Sequence, residues 1–372
     1  MFEKFFLPEG AGSSIEGNSG LDVERVLGRA RIHTDLESRA EFLKGRRVLV
    51  TGAGGYIGSE LCRQIAHWKP ESLMMLDRNE TALHLAATST PTGSLPTPPS
   101  ILLADIRDSR TLTRLFRDRR PEIVFHAAAL KWVPILEDFP GEAVKTNVFG
   151  TRAVLRAAVE TGVEYFVNIS TDKAVDPAGV LGYSKRIAEG LTAAAAIETN
   201  RSFVSVRFGN VLGCQGSFLY VFARQIAERR PVTVTHPEVT RYLMTVEEAV
   251  ELVVQSAVMG SLGHALVLDM GEQVRILDVA RRLLACADTD LPIHYVGLRP
   301  GEKLTESLVG RYETPVSRIH PKIMQVPVPP LKAGEGPELN AWGEDHAIVA
   351  AMRDTCLVMA GHGSTVEGAE TR

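Results

Sequence analysis

The sequence predicts an α/β fold: a doubly wound parallel sheet joined to a smaller C-terminal substrate-binding lobe. Three observations carry that prediction. From Arg46 to about residue 206, short β-rich apolar runs alternate with amphipathic helical segments, the pattern of a parallel sheet covered on both faces. The first run leads straight into a glycine-rich turn and a helix, and the second ends on a carboxylate. Beyond "FVSVRFGN" the alternation turns irregular, as expected where a second lobe closes over the carboxyl edge of the sheet. The 372 residues, 45% of them hydrophobic, suffice for one large domain with such a lobe.

Taken in order, residues 1–44 contain "GAGSSIEGNSG" and weakly periodic charged sequence, expected to form an arm with one or two short helices that packs on the body or on a neighbouring copy. Residues 45–206 form the Rossmann-like domain. It opens with strand "RVLVT", helix "YIGSELCRQIAHW", strand "SLMML" and helix "NETALHLAA". "TSTPTGSLPTPPS" reads as a surface loop from its proline and serine. Strand "ILLAD", helix "SRTLTRLFRDR" and strand "EIVFHAA" follow, then one long helix through "GEAVKTNVFGTRAVLRAAVETG", strand "YFVNIS" and helix "SKRIAEGLTAAAAIE". Residues 207–330 form the lobe, with a helix near 246–258 packing back on the first domain. Residues 331–372 hold one helix and a loose end.

"VLVTGAGGYIGSELCRQI" is a strand, turn and helix in the order that binds a dinucleotide. Gly52 and Gly55 let the backbone turn and approach a pyrophosphate, and Gly58 brings the helix close to the sheet. The helix start, with Tyr56 and Ile57 in its first turn, offers unpaired N–H groups to phosphates. Asp77 ends the second strand, where a carboxylate accepts hydrogen bonds from ribose hydroxyls and repels a 2′-phosphate. That favours NAD, while Arg78 beside it keeps NADP possible. Asp105 and Ile106 of "ADIRD" would flank the adenine, and Ala127 and Ala128 of "FHAAA" would run past the cofactor.

The end of strand "YFVNIS" is the carboxyl edge at which such sheets place chemistry. There the chain reads "STDKAVDPAGVLGYSKR". Lys185 stands where it would hydrogen-bond the nicotinamide ribose. The position one helical turn earlier, which would hold the tyrosine of a Tyr-x-x-x-Lys pair, is Leu181. Tyr183 lies about 200° around an ideal helix from Lys185 and is given a structural role. Asp172, Thr171 and Lys185 are then the candidates to take a proton from a sugar hydroxyl as hydride leaves its carbon. A ketone so formed acidifies the adjacent C–H, and Asp172 as acid with Lys173 as base suits loss of a hydroxyl one carbon further on. Lys173 serves as a base only when neutral, which burial beside Lys185 and a cationic nicotinamide favours. The competing reading is an Asp–Lys pair that ties the loop down.

Other classes are disfavoured. A formal charge of −4 argues against nucleic acid as the main partner. Cys62, Cys214, Cys286 and Cys356 are scattered, without a C-x-x-C, which fits a reducing cytoplasm. No window of about 18 apolar residues exists, and "MFEKFFLPEG" lacks a signal-peptide core, so no membrane partner is expected. His126 ends an apolar strand and reads as a packing or cofactor-side residue. None of the ten histidines falls in an H-E-x-x-H or similar cluster, so no metal is expected.

At these residues the chain resembles the CapD-like nucleotide-sugar 4,6-dehydratases and epimerases of polysaccharide biosynthesis, a branch of the extended short-chain dehydrogenases. The resemblance runs from about Leu21 to Pro330. It rests on "VLVTGAGGYIGSELCRQI", "FHAAALKWVPILED", "STDKAVDP", "VRFGNVLG", "PVTVTHPEVTRYLMT" and "GLRPGEKL" in the family's order. It implies a permanently held, recycled NAD or NADP and a UDP-N-acetylhexosamine substrate, with UDP-N-acetylglucosamine favoured. Oxidation at C4, loss of water across C5 and C6, and hydride return to C6 would give a 4-keto-6-deoxy sugar. Carried over by position, Asp172 is the acid and Lys173 the base. Asn210 and Arg299 face the diphosphate, the "PVTVT" strand the uracil, and Lys131 with Asn147 supports the site; Arg241 and Glu302 complete the substrate set. A homo-oligomer is also expected.

The chain departs from the family in places. Members carry tyrosine or methionine where this chain has Leu181, so it is similar to the methionine group, usually larger membrane-anchored dehydratases, of which it looks like a freestanding version. Trp132 stands where histidine is usual and Gln215 where arginine is common, changes that bear on substrate choice. The alternatives are a C4 epimerase, which needs no acid and base at C5 and C6, and a non-catalytic cofactor-binding regulator.

Overall fold

A computed structural model describes residues 40–91, 99–214, 217–260, 262–332 and 334–361, without the side chains of 40 and 317–319. The arm over 1–39, the loop tip at 92–98, Gln215 and the loose end from 362 lie outside the described residues. The first half winds as β1 (Arg47–Thr51), α1 (Tyr56–His67), β2 (Ser72–Asp77), α2 (Glu80–Ser89), β3 (Ser100–Leu103), α3 (Ser109–Arg119) and β4 (Ile123–His126). Side chains punctuate it: Asn79 accepts from Ala82 N at 3.0 Å to start α2, and Asp108 takes Arg110 N and Thr111 N at 3.1 Å to start α3.

After β4 come α4 (Val133–Asp138), α5 (Pro140–Ala143) and α6 (Thr151–Thr161), then β5 (Tyr165–Ile169), α7 (Val180–Thr199) and β6 (Ser202–Arg207). The single long helix expected through 141–162 is interrupted: Val144–Gly150 is π-helical. A Cβ on Gly150 would lie 2.7 Å from Ile106 Cδ1, so the wound-out turn sits hard against the end of the third βα unit. A π turn of this kind re-aims side chains that a regular helix would point elsewhere.

The second half comprises β7 (Asn210–Val211), α8 (Phe218–Ala227), β8 (Val232–Val234), β9 (Thr240–Arg241), β10 (Leu243–Met244), α9 (Val246–Met259) and β11 (His264–Leu268). Then follow β12 (Val274–Arg275), α10 (Ile276–Cys286), β13 (Ile293–Tyr295), β14 (Ser317–His320), β15 (Ile323–Pro327) and α11 (Asp345–Met359). Among the described residues the main sheet has nine strands, ordered β14-β15-β11-β6-β5-β4-β1-β2-β3. All neighbours from β3 to β11 are parallel, and β15 and β14 are added antiparallel. The order in which strands are added reverses between β1 and β4, the switch point where a doubly wound sheet opens its ligand crevice.

The sheet therefore departs from a clean division at residue 206, because β11, β14 and β15 return to it from 264–327. Buried Val204 and Val206 of β6 would otherwise form a bare edge. One apolar cluster joins Leu61 and Ile65 of α1 to Val250, Val253 and Val254 of α9. Its counterpart across the sheet gathers Leu112 and Phe116 of α3 with Val154 and Leu155 of α6. The lobe has its own core of Phe222, Ile226, Val232, Val234, Val279 and Leu283. In a fourth cluster α11 packs Met352, Cys356 and Met359 near Ile187 of α7. No helix among the described residues is long and apolar enough to cross a membrane.

Candidate active site

The turn after β1 is built for close approach. Gly52 has φ +70°, and a Cβ there would lie 2.6 Å from Ala128 N and 2.8 Å from the carbonyl carbon of Ala127. A Cβ on Gly58 would collide with Gly52 O. Gly55 caps α1 with no side-chain hydrogen bond, so the first N–H groups are not taken up by a cap. Asp77 Oδ2 accepts from Gly54 N at 3.0 Å and Oδ1 from Asn79 N at 2.9 Å, which fixes the carboxylate at the mouth of the crevice. These residues fit a dinucleotide.

Neighbouring expectations divide. Asp105 is held by Arg107, with Nη2 to Oδ2 at 2.6 Å, and Arg78 Nη1 lies 3.7 Å from Oδ2. Burial raises the Asp105 pKa, but the Arg107 hydrogen bonds outweigh it and the net shift is downward. Ile106 is buried against Gly150. The Tyr56 hydroxyl donates to Leu212 O at 2.9 Å, so its ring ties α1 to the lobe, leaving its backbone and Ile57 at the helix start. His126 is buried, with Nδ1 2.7 Å from Thr51 Oγ1 and Nε2 2.9 Å from Thr151 Oγ1. Burial and the Lys185 charge lower its pKa to about 3, which keeps it neutral.

Past β5 the chain makes a short 3-10 turn, Asp172–Ala174, with Thr171 as its cap. Asp172 is fully buried. Its Oδ1 accepts from Thr171 Oγ1 at 2.9 Å and from Lys173 Nζ at 3.0 Å. Lys173 Nζ also donates to Asn210 Oδ1 at 3.2 Å and lies 3.8 Å from Glu306 Oε1. Asp172 Oδ2 is buried without a hydrogen bond. A Cβ on Gly209 would lie 3.0 Å from that oxygen, so glycine there keeps open the space beside it. An unpaired carboxylate oxygen of this kind is costly unless a ligand hydroxyl completes it.

On α7, Leu181 lines a small cavity together with Val133, Glu137, Lys173, Lys303 and Glu306. Lys185 is buried on the same helix; burial lowers its pKa to about 8, with Glu189 acting in the opposite direction. Tyr183 packs toward α11, its carbonyl accepting from Cys356 Sγ at 3.7 Å. Glu137 Oε1 accepts from Val180 N at 2.8 Å and so secures the start of α7. Behind the site, Ser170 Oγ donates to Glu189 Oε1 at 2.6 Å, and Arg207 grips both Glu189 and Glu313 at 2.7–2.8 Å.

The substrate residues are treated unequally. Asn147, expected to support the sugar, is fully buried in the π turn. It bonds Leu130 N at 2.8 Å, Leu130 O at 3.0 Å and Ser184 Oγ at 3.0 Å, so it fastens the post-β4 loop to α7 and has no surface left for a ligand. Arg241 is equally committed, with Nη2 on Glu302 Oε1 at 2.8 Å and Nη1 on Thr240 O at 2.7 Å. Thr235 Oγ1 donates to the same Glu302 oxygen at 3.1 Å. Arg299 is exposed, and Lys131 stands over the Trp132 ring at 5.1 Å on the surface. In the "PVTVT" strand, Val232 and Val234 face the lobe core and Thr233 pairs with Gln225.

Glu306, Glu137 and the Arg207 cluster escaped the sequence reading. Glu306 lies two residues past "GLRPGEKL", and nothing in the sequence there marks it as buried.

A family profile described as "Polysaccharide biosynthesis protein" matches residues 48–328. "Probable polysaccharide biosynthesis protein EpsC" of Bacillus subtilis (strain 168) is 43% identical over 306 residues, covering 81% of this chain and 51% of the relative. "Capsular polysaccharide biosynthesis protein CapD" of Staphylococcus aureus is 40% identical over 310 residues, covering 82% and 51%. This chain spans about half the length of both. The solved structure of Pen from Bacillus thuringiensis matches with a TM-score of 0.70 at 29% identity, covering 77% of this chain and 90% of that one.

Proposed function

We propose, because this chain belongs to the polysaccharide biosynthesis protein family, that it is a nucleotide-sugar 4,6-dehydratase acting on a UDP-N-acetylhexosamine, UDP-N-acetylglucosamine first among them. The observation that carries the reading is the Asp172–Lys173 pair: two ionisable neighbours joined at 3.0 Å on the carboxyl edge of the sheet, with Asp172 Oδ2 buried and unpartnered.

Gly52, Gly55, Gly58 and Asp77 would hold NAD, which would supply a reversible hydride acceptor. Asp77 suits a free 2′-hydroxyl, and Arg78 is drawn toward Asp105 rather than left to meet a 2′-phosphate, which supports NAD over NADP. Lys185 brings positive charge to the ribose side of the crevice. Once C4 is a ketone, Lys173 takes the C5 proton and Asp172 protonates the departing C6 oxygen. Proton transfer across their hydrogen bond turns a resting carboxylate–ammonium pair into the acid and base needed together. Thr171 and Asn210 hold the pair in register. Arg241 and Thr235 aim Glu302, and Arg299 is available to a diphosphate.

A C4 epimerase shares the oxidation but has no use for this pair. The test is to load the protein with NAD, add UDP-N-acetylglucosamine and weigh the sugar. A product lighter by one water supports dehydration; conversion without loss of mass would favour epimerisation.

A further inference from the structure

Leu181 offers no group to take the proton from O4, yet the cavity that it lines holds a buried carboxylate. Glu306 is 2% exposed. Its backbone is anchored by Gln273 Nε2 on its carbonyl at 2.8 Å, and its segment is clamped to the catalytic turn by Lys303 Nζ on Val175 O at 2.7 Å. Oε1 lies 3.8 Å from Lys173 Nζ. Oε2 lies 3.5 Å from Lys303 Nζ and is buried with no hydrogen bond of its own. Glu137, the other carboxylate on the cavity, has its Oε1 turned to Val180 N at the start of α7, whereas Glu306 holds an oxygen with no hydrogen bond.

We infer that Glu306 is a catalytic residue, the acceptor of the O4 proton during oxidation at C4, and that Lys173 then passes this proton to Asp172. The inference rests on the dehydratase reading and completes its proton balance. In the oxidation the C4–H bond breaks with its electron pair leaving to NAD, and the O4–H bond breaks with its proton going to Glu306. In the elimination Lys173 gains the C5 proton while Asp172 loses its proton to the C6 oxygen, which departs as water. Hydride returns to C6 and Lys173 returns a proton to C5. Glu306 is left one proton rich and Asp172 one proton poor, and Lys173 stands between them at 3.8 Å and 3.0 Å. Transfer along that line restores both, so the proton taken from O4 replaces the one that Asp172 gave to the departing water.

The test uses the full chain with UDP-N-acetylglucosamine. Glu306→Gln is expected to slow appearance of NADH in a single turnover by about 10²-fold or more. Exchange of the C5 hydrogen of the 4-keto-6-deoxy product, which needs Lys173 alone, should stay within about threefold and also reports an intact site. Glu306→Asp should regain at least about tenfold over the glutamine variant. Independently of turnover, the NADH-loaded protein, which cannot oxidise substrate, should bind UDP-N-acetylglucosamine about tenfold less tightly after Glu306→Gln, with little change for the 4-deoxy-4-fluoro analogue. Wild-type rates of NADH formation in Glu306→Gln, equal loss of oxidation and exchange, or equal rates in the two variants would overturn the assignment and leave the dehydratase reading standing. Failure of the wild-type protein to form any ketone would overturn both.

Discussion

Asp172 and Lys185 act differently, the first by delivering a proton and the second by holding a charge. Asp172→Asn keeps the shape and the Thr171 contact but cannot deliver a proton to the C6 oxygen. Dehydration should fall about 10²- to 10⁴-fold while C4 oxidation continues, so stopped-flow absorbance should show reduced cofactor accumulating. Lys185 works as a cation. With its pKa lowered to about 8 by burial, kcat/KM should decline as pH rises through that value. Stability should move the other way: between about 8 and the ordinary 10.5, the unfolded chain holds a proton that the folded one has released, so stability gains with pH over that window. Urea midpoints and pH–rate profiles measured in parallel separate the two. The Asp172–Lys173 pair was legible because its members are adjacent in sequence. Glu306 was not, because one charge among several in "GEKLTES" acquires meaning only when folding buries it beside Lys173.

The elements that shape the site are the glycine turn, the π turn and α7. Gly52→Ala would add a Cβ 2.6 Å from Ala128 N at a positive φ. Backbone strain alone costs about 1–3 kcal/mol, and relief requires β1 and β4 to separate at the cofactor crevice. Calorimetry should find NAD affinity lost by more than the thermal midpoint alone would suggest; unchanged NAD binding would contradict the role given to this turn. Runs such as "RVLVT" and "EIVFHAA" declared their strands because both faces are covered, leaving unbroken apolar sequence. The π turn left no such mark. It coincides with the approach of Gly150 to Ile106 and the bond of Asn147 to Leu130, contacts that a helical period does not encode.

At the scale of the whole molecule, distant segments are fastened together behind the catalytic strand. Glu313, far along the chain, pairs with Arg207 of β6 and Arg186 of α7 at 2.6–2.8 Å. Burial raises the pKa of Glu313, but hydrogen bonds and charge from Arg207 and Arg186 prevail and lower it to about 2. Its contribution to stability is therefore complete above the ordinary 4.5 and is lost as pH falls toward 2. Glu313→Gln leaves buried guanidinium charge uncompensated and should cost about 3–5 kcal/mol in urea unfolding; a change below about 1 kcal/mol would mean the cluster is not structural. The return of β11, β14 and β15 to the main sheet was not legible, since "HALVL" and "IMQVP" are short apolar runs that do not say which edge they join. Dehydration through a C4 ketone is decided by proton NMR of the sugar formed from UDP-N-acetylglucosamine and the NAD-loaded protein in D2O. A 4-keto-6-deoxy sugar with deuterium at C5, placed there by exchange through Lys173, is the expected result. A C4 epimer with hydrogen retained at C5 would contradict it.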